Sequence, residues 1–597
     1  MDKKAVLFVT VILLALVAPM NLRIINVQSS DPAQPKYGGT LVVAQLFNPY
    51  TWTQCLEIGG VWWASFVLYD RIVEYDFNMR IYPGLAYKWE ISPDGLTYTF
   101  HLYPNVTWHD GVKFTSADVK FTIEYVLNNN GYATTYYKNI EIVQCPDDYT
   151  VVITLREPDA PFLYKLGAWT GGTHMIAKHL FEGTDFRTNP AHTTHPIGTG
   201  PFKFKEFISG DHYTLVANEN YFKGRPYLDA IVYKIIPERA VSMAALEAGE
   251  IHHMLDPPPF SELDRLKAMP HLSTHVRLGG DDSMILYFKL DRAPFNDKRV
   301  RQAILYAIDR KQVADLATFG YDKPAYGPYA NWTGIDWAFN PRAMYPEYNP
   351  EKAEQLLDEA GYLRGPDGIR FKTTLETLTI FPEMESTIMI VKEQLKKVGI
   401  EVEAKVLEYA LFVDKVVFKH DFDMAIWVIY CVPDPYTLGQ IAGTVPNIGD
   451  PLYNFMNYSN PRVDELVLKA LVPLSREERK PYYDEIQEIL REDVPYILLI
   501  QYAWPMVWNN QFHGFYFEED TLGTRFDFRK VWWEGGSPLP TPTPTPVGPA
   551  PTPTPAGPAP TPTPKPAPAF PIELIATIAI IVIIIIIALA ILIKKRK

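Results

Sequence analysis

LYDRIVEYDFNMRIYPGLAYKWEISPDGLTYTFHLYPNVTWHDGVKFTSADVKFTIEYV, from Leu68 to Val126, is the stretch from which the rest of the chain is best read. Within it, Tyr98-Thr99-Phe100-His101-Leu102 alternates apolar and polar positions, which predicts a half-buried strand. Thr115-Ser116-Ala117-Asp118 has the form of a capping box with Asp in place of Glu, which predicts a helix running through Leu127. Strand and helix signals thus follow one another within a single segment.

The same alternation continues on both sides. Gly38-Gly39-Thr40-Leu41-Val42-Val43-Ala44 reads as a turn entering a buried strand, and Tyr149 to Leu155 as another strand. From Asp297 to Asp309 the apolar residues Val300, Ala303, Ile304, Ala307 and Ile308 recur at helical spacing. Asn349-Pro350 opens a helix in the preferred order of N-cap then proline, and Gly361 closes it. Ile388 to Val398 is helical and stops at Gly399, after which Ile400, Val402, Ala404 and Val406 alternate as a strand does. Met424 to Tyr430 is almost continuously apolar, the pattern of a strand covered on both faces. Alternating helices and strands predict α/β domains, and the length calls for two or three of them.

The two ends read differently. Lys3-Lys4 precede an apolar run from Ala5 to Ala18, the form of a secretory signal, assigned to residues 1–30. From Ser537 to Phe570 the chain is a Pro/Thr/Ala tract, which favours extended polyproline II and makes a disordered, semi-rigid stalk. Residues 571–593 are apolar over about 20 positions, enough to cross a hydrocarbon core of ~30 Å as one transmembrane helix. The basic tail Lys594-Lys595-Arg596-Lys597 should stay in the cytoplasm, which places the large domain outside the cell on a single-pass membrane anchor. The formal net charge is −13, and the part between the two ends is more acidic still, which argues against nucleic acid as a partner. Three cysteines do not make a disulfide framework; Cys55 and Cys145 are the candidates for one bridge, which would leave Cys431 a free, buried thiol.

The Leu68–Val126 stretch resembles the family 5 extracellular solute-binding proteins, the oligopeptide/dipeptide-type receptors of ABC importers. The family's run through W, S-x-D-G, T-Y-T-F, H-D-G and A-x-D-V is matched almost throughout, with His101, Tyr103 and Trp108 as departures. Further matches follow in order: Ile197-Gly198-Thr199-Gly200-Pro201-Phe202, ANENYFKGRPYLDAIVYKII from Ala217, ILYFKLDRAPFNDKRVRQAILYAIDRKQV from Ile285, NPEKAEQLLDEAGY, EQLKKVGIEVE and EDVPYILL. The resemblance covers nearly all of residues 37–530. It implies a two-lobed clamshell like that of the class II periplasmic binding proteins. Lobe 1 would take residues 31–280, with an inserted subdomain at about 48–168. Lobe 2 would take 281–494, and 495–536 would return to lobe 1. Ligand would be held between the lobes, and the loaded form handed to a permease. No G-x-x-x-x-G-K-[ST] loop is present, so permease and ATPase subunits are separate chains. Stalk and anchor together suggest an archaeal-style, monomeric surface receptor that uses no cofactor or metal and is not an enzyme.

The ligand class is read from one motif. Peptide-binding members hold the peptide ammonium with an Asp in patterns like W-x-x-D-x-x-[DE]-P. Here Trp427 and Asp434-Pro435 match, but Tyr430 or Cys431 stands where the anchoring Asp belongs, and there is one extra residue. A buried ammonium without its carboxylate is expensive, so the reading leans to an oligosaccharide, with a di- or oligopeptide as the alternative. The candidate ligand residues are Trp427, Tyr430, Cys431, Asp434 and Tyr436 in lobe 2, Trp52, Trp62 and Trp63 in lobe 1, and Gln501 and Trp504 at the second crossing. The readings from other classes are a surface hydrolase and a structural cell-surface protein. For the hydrolase, G-x-S-x-G, H-E-x-x-H and zinc-spaced Cys/His clusters are missing from the sequence. His252-His253 with Asp256 reads as a solvated turn before Pro257 rather than a metal site.

Overall fold

The run TLVVAQ, Thr40–Gln45, is apolar on both faces because it lies in the middle of a sheet. Gly38 and Gly39 lead into it at φ 109° and 90°, which only glycine adopts without strain. A side chain at Gly39 would also strike the Trp533 ring. This computed structural model describes residues 34–57, 62–76, 79–167, 173–277, 282–330, 335–378, 382–430, 434–444, 453–515 and 528–538. The first sheet has seven strands, in the order Leu272–Arg277, Trp504–Asn509, His253–Met254, Thr40–Gln45, Ala230–Ile235, His212–Ala217, Phe202–Ile208.

His252, His253 and Asp256 brace this sheet, which corrects their reading as a solvated turn. His253 is buried within a strand and bonds through Nδ1 to the Val507 carbonyl at 2.8 Å. Val42 N donates to His252 Nδ1 at 2.9 Å, and Leu46 N donates to Asp256 Oδ2 at 3.0 Å. Each side chain satisfies a backbone group that the short strand leaves unpaired. Burial pushes the Asp256 carboxyl up from 3.8 to about 6. Between those values the folded chain keeps a proton that the unfolded chain has released. Stability therefore falls as pH rises through that window, and stays lower above it. Asp256→Asn keeps an acceptor for Leu46 N and removes the charge. It is expected to raise stability by roughly 1–2 kcal/mol above the window and by nothing below it, as read from urea unfolding across pH. Parallel pH profiles for variant and wild type would exclude Asp256 as the source.

The second sheet has six strands, in the order Lys323–Pro324, Tyr496–Gln501, Asp282–Phe288, Met424–Tyr430, Phe371–Leu378, Ile400–Leu407. Met424–Tyr430 lies between two partners, antiparallel to Asp282–Phe288 and parallel to Phe371–Leu378, which explains its apolar run. Of the helices predicted from periodicity, Pro382–Lys397 packs on this sheet, and Lys298–Ala307 packs on both that helix and Pro350–Glu359. Lys298–Ala307 is capped by Asp297, which accepts from Arg299 N at 2.8 Å. Pro350–Glu359 is capped by Asn349, which accepts from Lys352 N at 2.9 Å. Pro382–Lys397 ends before Gly399, at φ 84°.

The chain leaves the first sheet after Arg277 and enters the second at Asp282. The return comes later than expected at 495. Tyr496–Gln501 is a fully buried strand of the second sheet, paired with Asp282–Phe288, and only Trp504–Asn509 belongs to the first. The crossing is therefore Tyr502–Ala503. The run YILLIQ WPMVW is apolar on both sides of it, so no change of pattern marks the step.

The inserted subdomain is built on a four-stranded antiparallel sheet, in the order Ala86–Ile91, Thr97–Leu102, Thr150–Leu155, Ile140–Asp147. The helix Ser116–Asn128 packs against it, with Asp118 accepting from Thr115 N at 2.9 Å as the capping box requires. The subdomain's own core includes Tyr98, Phe100, Trp108, Phe162, Phe181, Phe186 and Ala191, so it extends beyond 168 to about residue 191. Ala64, Val67 and Leu68 within the same span pack instead on the main core. Cys55 and Cys145 are both free thiols, so the Cys55–Cys145 bridge is not formed; burial pushes the Cys55 thiol well up. Lys36–Tyr37 pairs with Ser537–Pro538, which closes the globular part on itself. The signal segment, the stalk beyond 538, the transmembrane segment and Cys431 lie outside the described residues. Among the described residues no helix is long and apolar enough to cross a membrane.

Candidate functional site

The two lobes meet along two seams. The first is the pair of crossings. Ala503 N donates to Asp322 Oδ1 at 2.6 Å, and the Tyr502 hydroxyl donates to Glu383 Oε2 at 3.4 Å. The Tyr502 ring packs on Phe260 of lobe 1 at 6.1 Å, and Tyr321 of lobe 2 stacks on the same Phe260 at 5.5 Å while donating to Asp264 at 3.2 Å. Burial pushes the Glu383 carboxyl up; burial and then the Glu383 charge push Asp322 well up. Arg239 of lobe 1 opposes the shift at Glu383.

The second seam joins the inserted subdomain to lobe 2. Ala160 N donates to the Leu471 carbonyl at 2.9 Å, and Arg476 Nη2 donates to the Tyr164 hydroxyl at 3.1 Å. Lys165, gripped by Asp159 at 2.7 and 2.9 Å, places its ammonium 4.2 Å from the centre of the Tyr436 ring. Burial opposes the Lys165 charge, but the Asp159 carboxylate outweighs it and the ammonium titrates above its ordinary value.

The residues expected at the site are distributed as follows. Trp427 lies on the strand Met424–Tyr430, partly buried, with its ring 4.9 Å from Phe412 and 6.4 Å from Tyr409. Tyr409 is half-exposed and lies within electrostatic reach of Tyr50, an exposed lobe 1 residue. Tyr430 ends the same strand, and Trp62 opens the helix Trp62–Leu68, where Trp63 packs at the edge of the core. Gln501 and Trp504 are buried on either side of the second crossing, and Trp504 packs on Tyr502 at 5.9 Å. Trp52 is a core residue rather than a cleft residue. It is 0% exposed and enclosed edge-on by Phe204, Phe207 and Tyr213 at 5.1, 5.8 and 5.2 Å. Asp434 is likewise committed. Arg479 grips both its oxygens at 2.6 and 2.8 Å, and Tyr436 N donates to Oδ1 at 2.9 Å. Burial opposes the Arg479 charge, but Asp434 overcomes it and raises the guanidinium further. A carboxylate so occupied is not available to a ligand ammonium.

Sequence reasoning missed Lys165, Asp159, Arg479, Glu383, Asp322 and the pair Tyr409–Phe412. Arg479 sits among Arg476 and Lys480 in a polar helical stripe, so spacing could not single it out. Among the described residues no three His, Cys, Asp or Glu side chains are placed to hold a metal ion. Two lobes joined by two crossings, with Tyr409 of lobe 2 within electrostatic reach of Tyr50 of lobe 1, make an arrangement that can enclose a solute.

The model of the bacterial extracellular solute-binding proteins, family 5, matches residues 80–445. The chain is a family 5 extracellular solute-binding protein. This solute-binding protein is 30% identical over 492 residues to the oligopeptide-binding protein AppA of Bacillus subtilis, covering 78% of this chain and 87% of AppA. The structure of that AppA with a nonapeptide superposes with a TM-score of 0.72 at 27% identity, covering 84% of this chain and 100% of AppA. The structure of DppA from Helicobacter pylori in complex with the peptide STSA gives the same TM-score at 27% identity, covering 84% of this chain and 99% of that one. The glutathione-binding protein GsiB of Pectobacterium atrosepticum is 28% identical over 466 residues, covering 76% of this chain and 87% of GsiB. The fold is therefore the two-lobed periplasmic-binding-protein fold, and the family 5 protein is the substrate-binding component of an ABC importer. The ligands named for these relatives are peptides and glutathione, which favours the peptide alternative over the expected oligosaccharide.

Proposed function

We propose that this receptor captures oligopeptides between its lobes outside the cell and passes them to its permease while tethered by the C-terminal helix. The observation that carries the reading is the similarity to an oligopeptide-binding protein across almost the whole globular part. The tether rests on the apolar segment 571–593 and the basic tail that follows it. In this reading the receptor acts as a monomer, and its ligand specificity departs from the family pattern at one point. Asp434 is taken by Arg479, and Tyr430 stands near the place of the ammonium-anchoring Asp. The peptide is then held through its backbone and side chains rather than by a buried carboxylate on its N-terminus.

The test uses the globular part, residues 34–539, which keeps the pairing of Lys36–Tyr37 with Ser537–Pro538. Tryptophan fluorescence and melting temperature are read against dipeptides to nonapeptides, free and N-acetylated, and against gluco-oligosaccharides. A ligand at a hundredfold excess over Kd stabilises by ~2.7 kcal/mol. Peptides are expected to raise the melting temperature, with acetylation changing affinity by less than about threefold, well under the ~2 kcal/mol or more that a buried ammonium–carboxylate pair would lose. A response to saccharides alone would sink the peptide reading. A response to free but not acetylated peptides would keep it and require another carboxylate as anchor.

A further inference from the structure

The inserted subdomain touches both lobes, and its two joints are built differently. On lobe 1 it is held by interlocking bonds. His109 N donates to the Gly198 carbonyl at 2.9 Å, Gly198 N donates to His109 Nδ1 at 3.1 Å, and His109 Nε2 donates to the Gly200 carbonyl at 3.0 Å. Lys223 Nζ donates to the Pro83 carbonyl at 3.0 Å, and Tyr103 packs on Phe222 with ring centres 5.3 Å apart. On lobe 2 the contacts come from the segment Ala160–Lys165 and one turn. Ala160 N donates at 2.9 Å to the carbonyl of Leu471, the last residue of the helix Pro461–Leu471. Arg476 donates to the Tyr164 hydroxyl at 3.1 Å on the exposed side. Leu474 lies over Gly95, where an added Cβ would come within 3.7 Å of it. Lys165, 7% exposed, sets its ammonium 4.2 Å from the centre of the Tyr436 ring.

The chain does not run through the second joint. Lobe 2 is tied to lobe 1 after Arg277 and at Tyr502–Ala503, so a rotation of the lobes about those crossings must break the joint with one lobe or the other. The joint with lobe 1 is reciprocal, backbone to side chain and back, and gives no single bond that can part alone. The joint with lobe 2 is made to release. Asp159, which grips Lys165 at 2.7 and 2.9 Å, belongs to the subdomain itself, so the ammonium keeps its counter-charge when Tyr436 moves away. Opening then gives up the ring contact and two hydrogen bonds that water replaces. Lobe 2 holds its side ready for the return: Tyr436 N donates to Asp434 Oδ1, and Arg479 fixes that carboxylate. We propose that the inserted subdomain is the latch of this receptor. It stays on lobe 1 as the lobes part, and its Ala160–Lys165 face engages lobe 2 only in the closed form, where Lys165 against Tyr436 sets how often the lobes close. This rests on the receptor reading above and deepens it. Lys165 becomes a positioning residue, acting on affinity through the equilibrium between open and closed forms.

Amide hydrogen exchange on the full chain in detergent, without ligand and read by mass spectrometry, tests this. Corrected for intrinsic rates, Ala160 should exchange faster than His109 and Gly198, because opening exposes only the first of them. Tyr436→Leu leaves the Asp159–Lys165 pair intact. It should speed exchange at Ala160 about ten- to thirtyfold, the size of a desolvated cation–π contact, and leave His109 and Gly198 as they were. Lys165→Met should act alike; it strands Asp159, so the Tyr436 variant decides if this one fails to fold. The measurement uses no peptide, so a failed latch and a failed peptide reading are told apart. Exchange at Ala160 as slow as at His109 and Gly198 would make the seam a fixed interface and overturn the proposal. So would rates at Ala160 within twofold of wild type in both variants, or an equal acceleration of all three amides in Tyr436→Leu.

Discussion

Asp434→Ala lowers the stability of lobe 2 by about 3–5 kcal/mol, the range for breaking a buried ion pair and leaving one partner uncompensated. The Asp434 and Arg479 side chains are 2% and 3% exposed, and the two contacts between them, at 2.6 and 2.8 Å, form a fork. Arg479 also donates to the Tyr483 hydroxyl at 2.8 Å and to the Ala470 carbonyl at 2.9 Å, so the guanidinium stays buried when the carboxylate is removed. The loss reaches the interface between the lobes as well. Asp434 Oδ1 holds Tyr436 N, and the Tyr436 ring is what the Lys165 ammonium faces from the inserted subdomain. The variant should therefore lower the melting temperature of lobe 2 and also weaken ligand-induced closure. A double variant, Asp434→Leu with Arg479→Met, should recover much of the stability, since replacing a buried pair by apolar side chains of similar size is often neutral or better. A loss below about 1 kcal/mol for Asp434→Ala would show the pair to be solvated and the argument from burial unsound.

Those two residues also mark the limit of what the sequence discloses. Elements whose signal is local were legible. The strand Thr97–Leu102, the capping box at Thr115 and the Asn349-Pro350 helix start depend on a few neighbouring residues, and they fold as their periodicity and caps predict. Positions decided by distant parts of the chain were not legible. The Tyr502–Ala503 crossing lies inside a continuous apolar run, where both strands are buried and neither changes pattern at the step. The inserted subdomain extends to Ala191 because Phe181 and Phe186 fold back onto its core, a contact no window of adjacent residues contains. Asp434 matches a family motif and stands among the expected ligand residues, yet its partner lies 45 residues away on a helix of many charges. Trp52 shows the converse: an aromatic near the expected cleft proves to be core, because three other rings close around it.

Trp427→Ala reduces ligand affinity by about thirty- to a hundredfold, or ~2–3 kcal/mol, the loss typical of an aromatic anchor in a binding site. Trp427 is the residue that the family motif places at the site, and its side chain is partly buried on the strand Met424–Tyr430. It sits at the midpoint of a strand in the middle of the second sheet, so its backbone is rigid. Phe412 and Tyr409 support one side of its ring, and the side chain as a whole remains partly exposed. An aromatic ring fixed in this way loses little conformational freedom when a ligand covers it, so most of the contact energy appears as affinity. Trp427→Phe keeps an aromatic face and should lose less than about tenfold, roughly 1.4 kcal/mol. Because Trp427 is not fully buried, the alanine variant should melt close to the wild type, which separates lost binding from lost folding. Calorimetric titration of the best ligand from the panel decides the matter. Affinity within about threefold of wild type in Trp427→Ala would exclude this ring from the site and leave the Tyr50–Tyr409 side of the cleft as the surface to test next.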